Sequence, residues 1–290
     1  MKIGFADFWY DFDPNRNFFR YLFSQFTNVE VVHPNDADVV IFTCYGGVPY
    51  NVNQVFTNTN FSNKKKIFFT GENIRPDYNN VDYAFTFDFD DNPKNIRMPL
   101  WLLQIDWFNQ FGYGNPKYVI PYDEIFENKF TKKEKSKFCS FVFNNISPYR
   151  EEIVQKLSRY KKVDCYGNIH GNWFNGEDMK LDIISNYKFN ICFENSIYPG
   201  YYTEKPIHAK AAGCVPIYWS DKNMAVDFNE KAFINLTDFN NNVDDLVEYI
   251  IEVDNNDELY NKIKSEKIFN DNQDPKILFN TILEKVKNII

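Results

Sequence analysis

Short runs of β-branched and aromatic residues alternate along this chain with longer segments of helical period, and the alternation occurs in two successive series. That order marks parallel sheets, because a parallel strand pair needs a long return and a crossover helix supplies it. In the first series residues 2–8, 29–32, 38–42, 66–70 and 83–87 read as strands, with 16–26 as the clearest helix. In the second, 138–143, 163–166, 189–193, 215–218 and 233–235 read as strands, with 149–159 and 204–212 among the helices between them. A polar, Lys-rich stretch at 131–137 separates the series and reads as a solvated connector, so the expected domains are 1–135 and 136–290. The predicted class is α/β, with two facing Rossmann-like, doubly wound domains, ligands at the carboxyl ends of the strands and a catalytic cleft between the domains. Helical segments 243–253, 258–267 and 275–290 close the chain. The last carries Leu278, Ile282, Val286 and Ile290 on overlapping faces and is expected to dock across the domains rather than lie on a membrane.

Two domains also suit the length, since 290 residues is near the size at which a single core stops growing. A 44% hydrophobic and 25% charged composition is that of a globular protein, and the negative mean hydropathy argues against a multi-spanning membrane protein. A net charge of −8 disfavours the wrapping of nucleic acid, which needs concentrated Lys and Arg. Five scattered cysteines, Cys44, Cys139, Cys165, Cys192 and Cys214, each in or beside an apolar stretch, read as reduced thiols in a cytosol. The three histidines lack metal-ligand spacing, and no CxxC occurs, so no structural metal is expected. The first residues run straight into a strand with no signal-peptide pattern; the expectation is a cytoplasmic protein with at most peripheral membrane contact.

The most informative stretch is FENSIYPGYYTEK at 193–205, followed by a helical segment and the strand-like VPIYWS at 215–220. Thr203 is a candidate N-cap, and Pro206 is tolerated in a first helical turn. A helix start offers unpaired N–H groups and the positive end of the dipole to a diphosphate, with Lys205 adding a full charge. Glu204 beside it can accept hydrogen bonds from ribose hydroxyls. On these residues alone an ordinary capped helix with one solvated ion pair is an equal reading.

This stretch resembles the donor-site signature of the α-1,3/4-fucosyltransferases, glycosyltransferase family 10, and is similar to its short bacterial members. Further matching segments are Phe69-Thr70-Gly71-Glu72-Asn73, Asp82-Tyr83-Ala84-Phe85, Arg97-Met98-Pro99-Leu100, Asn144 to Arg150 and Phe228 to Asp238. The chain departs from the family pattern at Pro206, at Ser220 where glycine is usual, and in having no heptad-repeat or strongly basic tail.

The resemblance implies a GT-B type fold and an inverting transfer of fucose from GDP-β-L-fucose to a GlcNAc or Glc hydroxyl of an oligosaccharide such as N-acetyllactosamine. The donor would bind the C-terminal domain and the acceptor the N-terminal one. It selects Glu72 as general base and acceptor-site residue, with Arg150 and Lys205 offsetting charge on the leaving GDP in place of a metal. Asn144, Glu194, Asn195, Tyr201, Thr203 and Glu204 are the other donor-binding candidates. Tyr166 and Gly167 would shape the base pocket, although an aromatic at Tyr166 also suits a core. Trp9 would stack on an acceptor sugar or simply pack. No cofactor is expected to be required, with Mn²⁺ or Mg²⁺ at most stimulating. A different sugar nucleotide on the same fold, or a catalytically silent glycan-binding protein, are the alternatives that the sequence leaves open.

Overall fold

The computed structural model describes residues 1–9, 11–45, 61–110, 113, 119–132, 134–170 and 177–290. They fall into two compact units, one of residues 1–119 with 276–290 and one of residues 120–275.

The first unit is built on six parallel strands, β1 (Lys2–Ala6), β2 (Glu30–Val31), β3 (Val39–Phe42), β4 (Lys65–Phe69), β5 (Tyr83–Thr86) and β6 (Asn95–Arg97), in the order β2-β1-β3-β4-β5-β6. The register aligns Ile3 with Val39 and Ile41 with Ile67. All four residues of β3 are buried, as befits a parallel strand covered on both faces. Helix α1 (Phe18–Ser24) opens at Asn17, whose side chain accepts from the Arg20 amide, and buries Phe18, Phe19, Leu22 and Phe23. Phe19 meets the rings of Phe69 and Phe85 at 4.7 and 5.8 Å. Gly4 is required by close approach, because a Cβ there would lie 2.5 Å from Pro34 Cα. Strand β6 escaped the sequence reading: three residues between polar turns carry too short a pattern to stand out.

The second unit holds α2 (Tyr122–Phe126), β7 (Lys137–Val142), α3 (Pro148–Leu157), β8 (Val163–Tyr166), α4 (Glu177–Ile184), β9 (Tyr187–Ile191), α5 (Lys205–Ala211), β10 (Val215–Tyr218), β11 (Ile234–Asn235), α6 (Val243–Asn255) and α7 (Asp257–Ser265). Five of its strands form a parallel sheet in the order β8-β7-β9-β10-β11. Phe141, Phe189, Ile191, Val215 and Ile217 form the core of this sheet with Ile153 and Leu157 of α3 and Leu246, Ile250 and Val253 of α6. Both units are thus doubly wound parallel α/β structures, the class expected.

The expected division differs from the one formed. The boundary lies at 119/120, not 135/136. Residues just before the Lys-rich stretch pack into the second unit: Ile120 and Ile125 are fully buried, and Asn128 donates to the carbonyls of Lys264, Ser265 and Glu266. Lys135 spends its ammonium on the carbonyls of Ser185 and Ala212 at 2.8 and 2.6 Å. The last helix, α8 (Pro275–Lys287), belongs from Lys276 onward to the first unit and not to the second. Its buried face is Phe279, Ile282, Val286 and Ile289, whereas Ile290 is exposed, so the face is rotated from the one predicted. Phe279 stacks on Trp107 at 4.2 Å, and Lys285 donates to the Asn95 carbonyl. Among the described residues no helix is long and apolar enough to cross a membrane.

Candidate functional site

In a sheet ordered β8-β7-β9 the connections leaving β7 and β9 run to opposite faces, and the crevice that opens at their carboxyl ends is where open α/β sheets bind ligands. The residues following β7 and β9 are those of the 144–150 and 193–205 motifs.

Arg150, in the first turn of α3, ties the two loops together. Its Nη1 donates to the Asn145 carbonyl at 2.8 Å and its Nη2 to the Phe193 carbonyl at 2.6 Å, and the residue is 1% exposed. Burial lowers its pKa, while the charges of Glu194, Tyr201 and Glu204 work in the opposite direction. The Arg150 Nε and the Ser147 hydroxyl, both at the start of α3, are buried without a hydrogen-bond partner. Such donors are uncommon in a finished interior, and here they sit at the switch point.

Glu194 is the hub of the other loop. Its carboxylate, fully buried, accepts from the Thr203 amide at 2.9 Å, the Thr203 hydroxyl at 2.8 Å, the Lys205 ammonium at 2.8 Å and the Tyr218 hydroxyl at 2.8 Å. Lys205 also donates to the Thr203 hydroxyl at 2.8 Å. Burial works against the Lys205 ammonium, but the Glu194 and Glu204 carboxylates outweigh it and hold the pKa above the ordinary lysine value. Glu194 thus turns its carboxylate to protein donors and organises Lys205. One reading changes here. Thr203 is not the N-cap: the cap residue of α5 is Glu204, in helical conformation and without a side-chain capping bond, because the Thr203 hydroxyl is already committed to Glu194 and Lys205.

Glu204 lies beside this hub, paired with Lys180 of α4 at 3.6 Å. Burial would raise its pKa, yet Lys205 and Lys180 hold it well below the usual carboxylate range. His208, one turn along α5 and 1% exposed, is pushed down to about 3 by burial and by Lys180, so it stays neutral. Tyr201 is buried, whereas Asn195 and Asn144 are exposed at the rim of the crevice.

Gly167, at φ +140, allows the end of β8 to press against the β7 loop: a Cβ there would lie 2.2 Å from the Phe143 carbonyl oxygen and 2.7 Å from Asn144 Oδ1. Tyr166 is half-buried on the edge strand with its hydroxyl 2.7 Å from that of Tyr187, which in turn donates to Asp164.

In the first unit the same topology puts the ends of β1, β3 and β4 side by side. Trp9 meets Tyr45 edge-on at 5.8 Å, and the Tyr45 hydroxyl donates to Glu72 Oε1 at 3.0 Å. Thr70 fixes the Glu72 backbone from both sides, accepting from its amide and donating to its carbonyl. Trp9 and Glu72, 63 positions apart in sequence, therefore share one surface through Tyr45. Tyr45, Lys180, His208 and Tyr218 were not singled out from the sequence. Tyr218 lies within the quoted VPIYWS motif, the one signal that could have found any of them. Among the described residues no group of three His, Cys, Asp or Glu side chains could hold a metal ion.

Comparison with known proteins bears on both units. Residues 131–266 match the C-terminal model of glycosyltransferase family 10 (fucosyltransferase), and residues 3–104 match the N-terminal domain model of alpha-(1,3)-fucosyltransferase FucT. Alpha-(1,3)-fucosyltransferase FucT of Helicobacter pylori is 30% identical over 276 residues, which cover 86% of this chain and 56% of the relative. Mouse 4-galactosyl-N-acetylglucosaminide 3-alpha-L-fucosyltransferase 9 is 34% identical over 135 residues, covering 45% of this chain and 37% of the relative. The chain spans about half the length, or less, of such curated relatives. A crystal structure of an alpha1,3-fucosyltransferase with GDP-fucose is similar at a TM-score of 0.69 and 28% identity, covering 98% of this chain and 90% of that one.

Proposed function

This chain belongs to glycosyltransferase family 10, the fucosyltransferases, and from that premise we propose that it transfers L-fucose from GDP-β-L-fucose, with inversion, to a GlcNAc or Glc hydroxyl of an oligosaccharide. The observation that carries the proposal is the gathering of Arg150, Glu194, Glu204 and Lys205 at the switch point of the second sheet. The crystal structures of relatives with GDP and GDP-fucose support the choice of donor.

In the proposed reaction Glu72 takes the proton of the acceptor hydroxyl as that oxygen bonds to the anomeric carbon, and the bond from that carbon to the β-phosphate oxygen breaks. The transition state carries oxocarbenium character on the sugar and growing negative charge on the diphosphate. Lys205, pre-set by Glu194 and Thr203, meets that charge directly. Arg150 contributes a fixed positive field from beneath the loops it joins. Glu204 takes hydrogen bonds from the ribose, and Asn144, Asn195 and Tyr201 complete the nucleotide site. Trp9 offers a face to the acceptor sugar. Transfer proceeds without a metal, with the cations performing the task of one.

The test is mass-spectrometric detection of transfer from a panel of sugar nucleotides to N-acetyllactosamine, lactose and type-1 disaccharide, in EDTA, followed by linkage analysis. Fucosylation from GDP-fucose is the expected result. Activity confined to UDP-sugars rejects the donor, and loss in EDTA restored by Mn²⁺ rejects the metal-free route. Binding of GDP-fucose without transfer to any acceptor favours a silent binding protein.

A further inference from the structure

Lysine is rarely withdrawn from water without a partner that repays the desolvation. Lys180, on the middle of α4, has a side chain only 16% exposed, and the partner it meets is Glu204 of the donor motif, itself 22% exposed. Their separation of 3.6 Å is longer than a charge-assisted hydrogen bond, near 2.7–2.9 Å, so the contact is one of charge with charge. A carboxylate held in this way is fixed in place while its oxygens can still accept from hydroxyl donors. Lys205, next to Glu204 in sequence, adds positive charge there but directs its hydrogen bonds to Glu194 and Thr203, so the side-chain ion pair that Glu204 makes is with Lys180. His208 cannot do the same work, since it is held neutral. Nor does Glu204 serve its own helix, as it makes no capping bond.

We propose that Lys180 is a positioning residue of the donor site, holding the Glu204 carboxylate aimed at the ribose hydroxyls without itself touching the nucleotide. The proposal rests on the donor reading above, and it extends that site to a third helix that lies outside the 193–205 motif. Among the charges so gathered, Arg150, Lys180 and Lys205 exceed Glu194 and Glu204 by one, so the site is poised for an anion before it is filled.

The test is calorimetric titration of the whole protein with GDP, GMP and the 2′-deoxy and 3′-deoxy forms of GDP, with thermal melting of each variant as a check on folding. Lys180→Met should weaken GDP and GMP by the same factor, about tenfold, as expected when a hydrogen bond to a charged group is lost. The preference for GDP over its deoxy forms should shrink by a similar factor, and Lys180→Arg should restore both to within about threefold. In a Glu204→Gln background, Lys180→Met should cost nothing further, the non-additivity that defines a shared action. A loss that grows from GMP to GDP would instead put Lys180 on the phosphates and overturn the proposal. So would additive effects of the two substitutions, or unchanged affinity in a folded Lys180→Met. Wild-type protein that binds no guanine nucleotide at all would overturn the donor reading itself, a distinct outcome.

Discussion

Replacing Glu194 by glutamine changes one oxygen to an amide nitrogen and should cost the second unit about 3 kcal/mol. The carboxylate is fully buried and receives the Thr203 amide, the Thr203 hydroxyl, the Lys205 ammonium and the Tyr218 hydroxyl. Gln presents an oxygen to some of these donors but turns its NH₂ against the others, and the Lys205 ammonium, only 17% exposed, loses its counter-charge. Removing one partner of a buried pair typically costs about 3–5 kcal/mol, and the residual exposure of Lys205 places this case at the lower end. For a domain of this size that corresponds to a Tm lower by about 6–12 °C. Differential scanning calorimetry measures it, and titration with GDP should show weakened binding, because Lys205 is no longer held in place. The penalty also carries a pH signature. Lys205 has a folded pKa above its unfolded value, so its stabilising contribution is complete below about pH 10.4 and is lost as pH rises through the folded value. The gap between wild type and variant should therefore be widest at neutral pH and close in strong alkali. A Tm within 1–2 °C of wild type, by the same size scaling, with unchanged GDP affinity, would refute the view of Glu194 as the organiser of the donor site.

The other predictions are narrower. Glu72→Gln should keep GDP affinity and lose transfer by about 10²–10⁴-fold, the range for a general base; wild-type turnover in a rapid-quench assay rejects the assignment. Gly167→Ala should lower urea-unfolding stability by at least about 3 kcal/mol, since a Cβ is forced to 2.2 Å from the Phe143 carbonyl at a φ of +140; a soluble variant of normal stability would contradict that geometry. His208 is buried with a pKa of about 3 against about 6.5 unfolded, so folding loses its contribution as pH falls from 6.5 toward 3. Urea titrations at pH 7 and 4.5 should show a smaller acid loss in His208→Gln than in wild type, and equal losses would exclude His208 as the cause.

Much of this protein is written locally. The strands 163–166 and 215–218 begin and end where the sequence places them, because hydrophobic runs bounded by polar turns carry their own limits. The residues 193–205 are contiguous, so their shared loop follows from chain connectivity alone. Glu72 and Arg150 were singled out through a family resemblance that covers both units. What the chain order does not contain is which distant residues meet. The β8-β7-β9 order brings Arg150 to the Phe193 carbonyl, 43 positions away. The packing of α4 brings Lys180 to Glu204, and the adjacency of β1 and β3 brings Trp9 to Tyr45 and so to Glu72. The same cause explains the misplaced boundary, since a lysine stretch is polar in sequence whether its ammonium points to water or, as Lys135 does, caps buried carbonyls. The sequence alone determined which chemical groups are present and on which local elements they ride. Only tertiary structure decided which of them face each other, because hydrogen bonds and ion pairs depend on separations of a few ångströms that sequence distance does not encode.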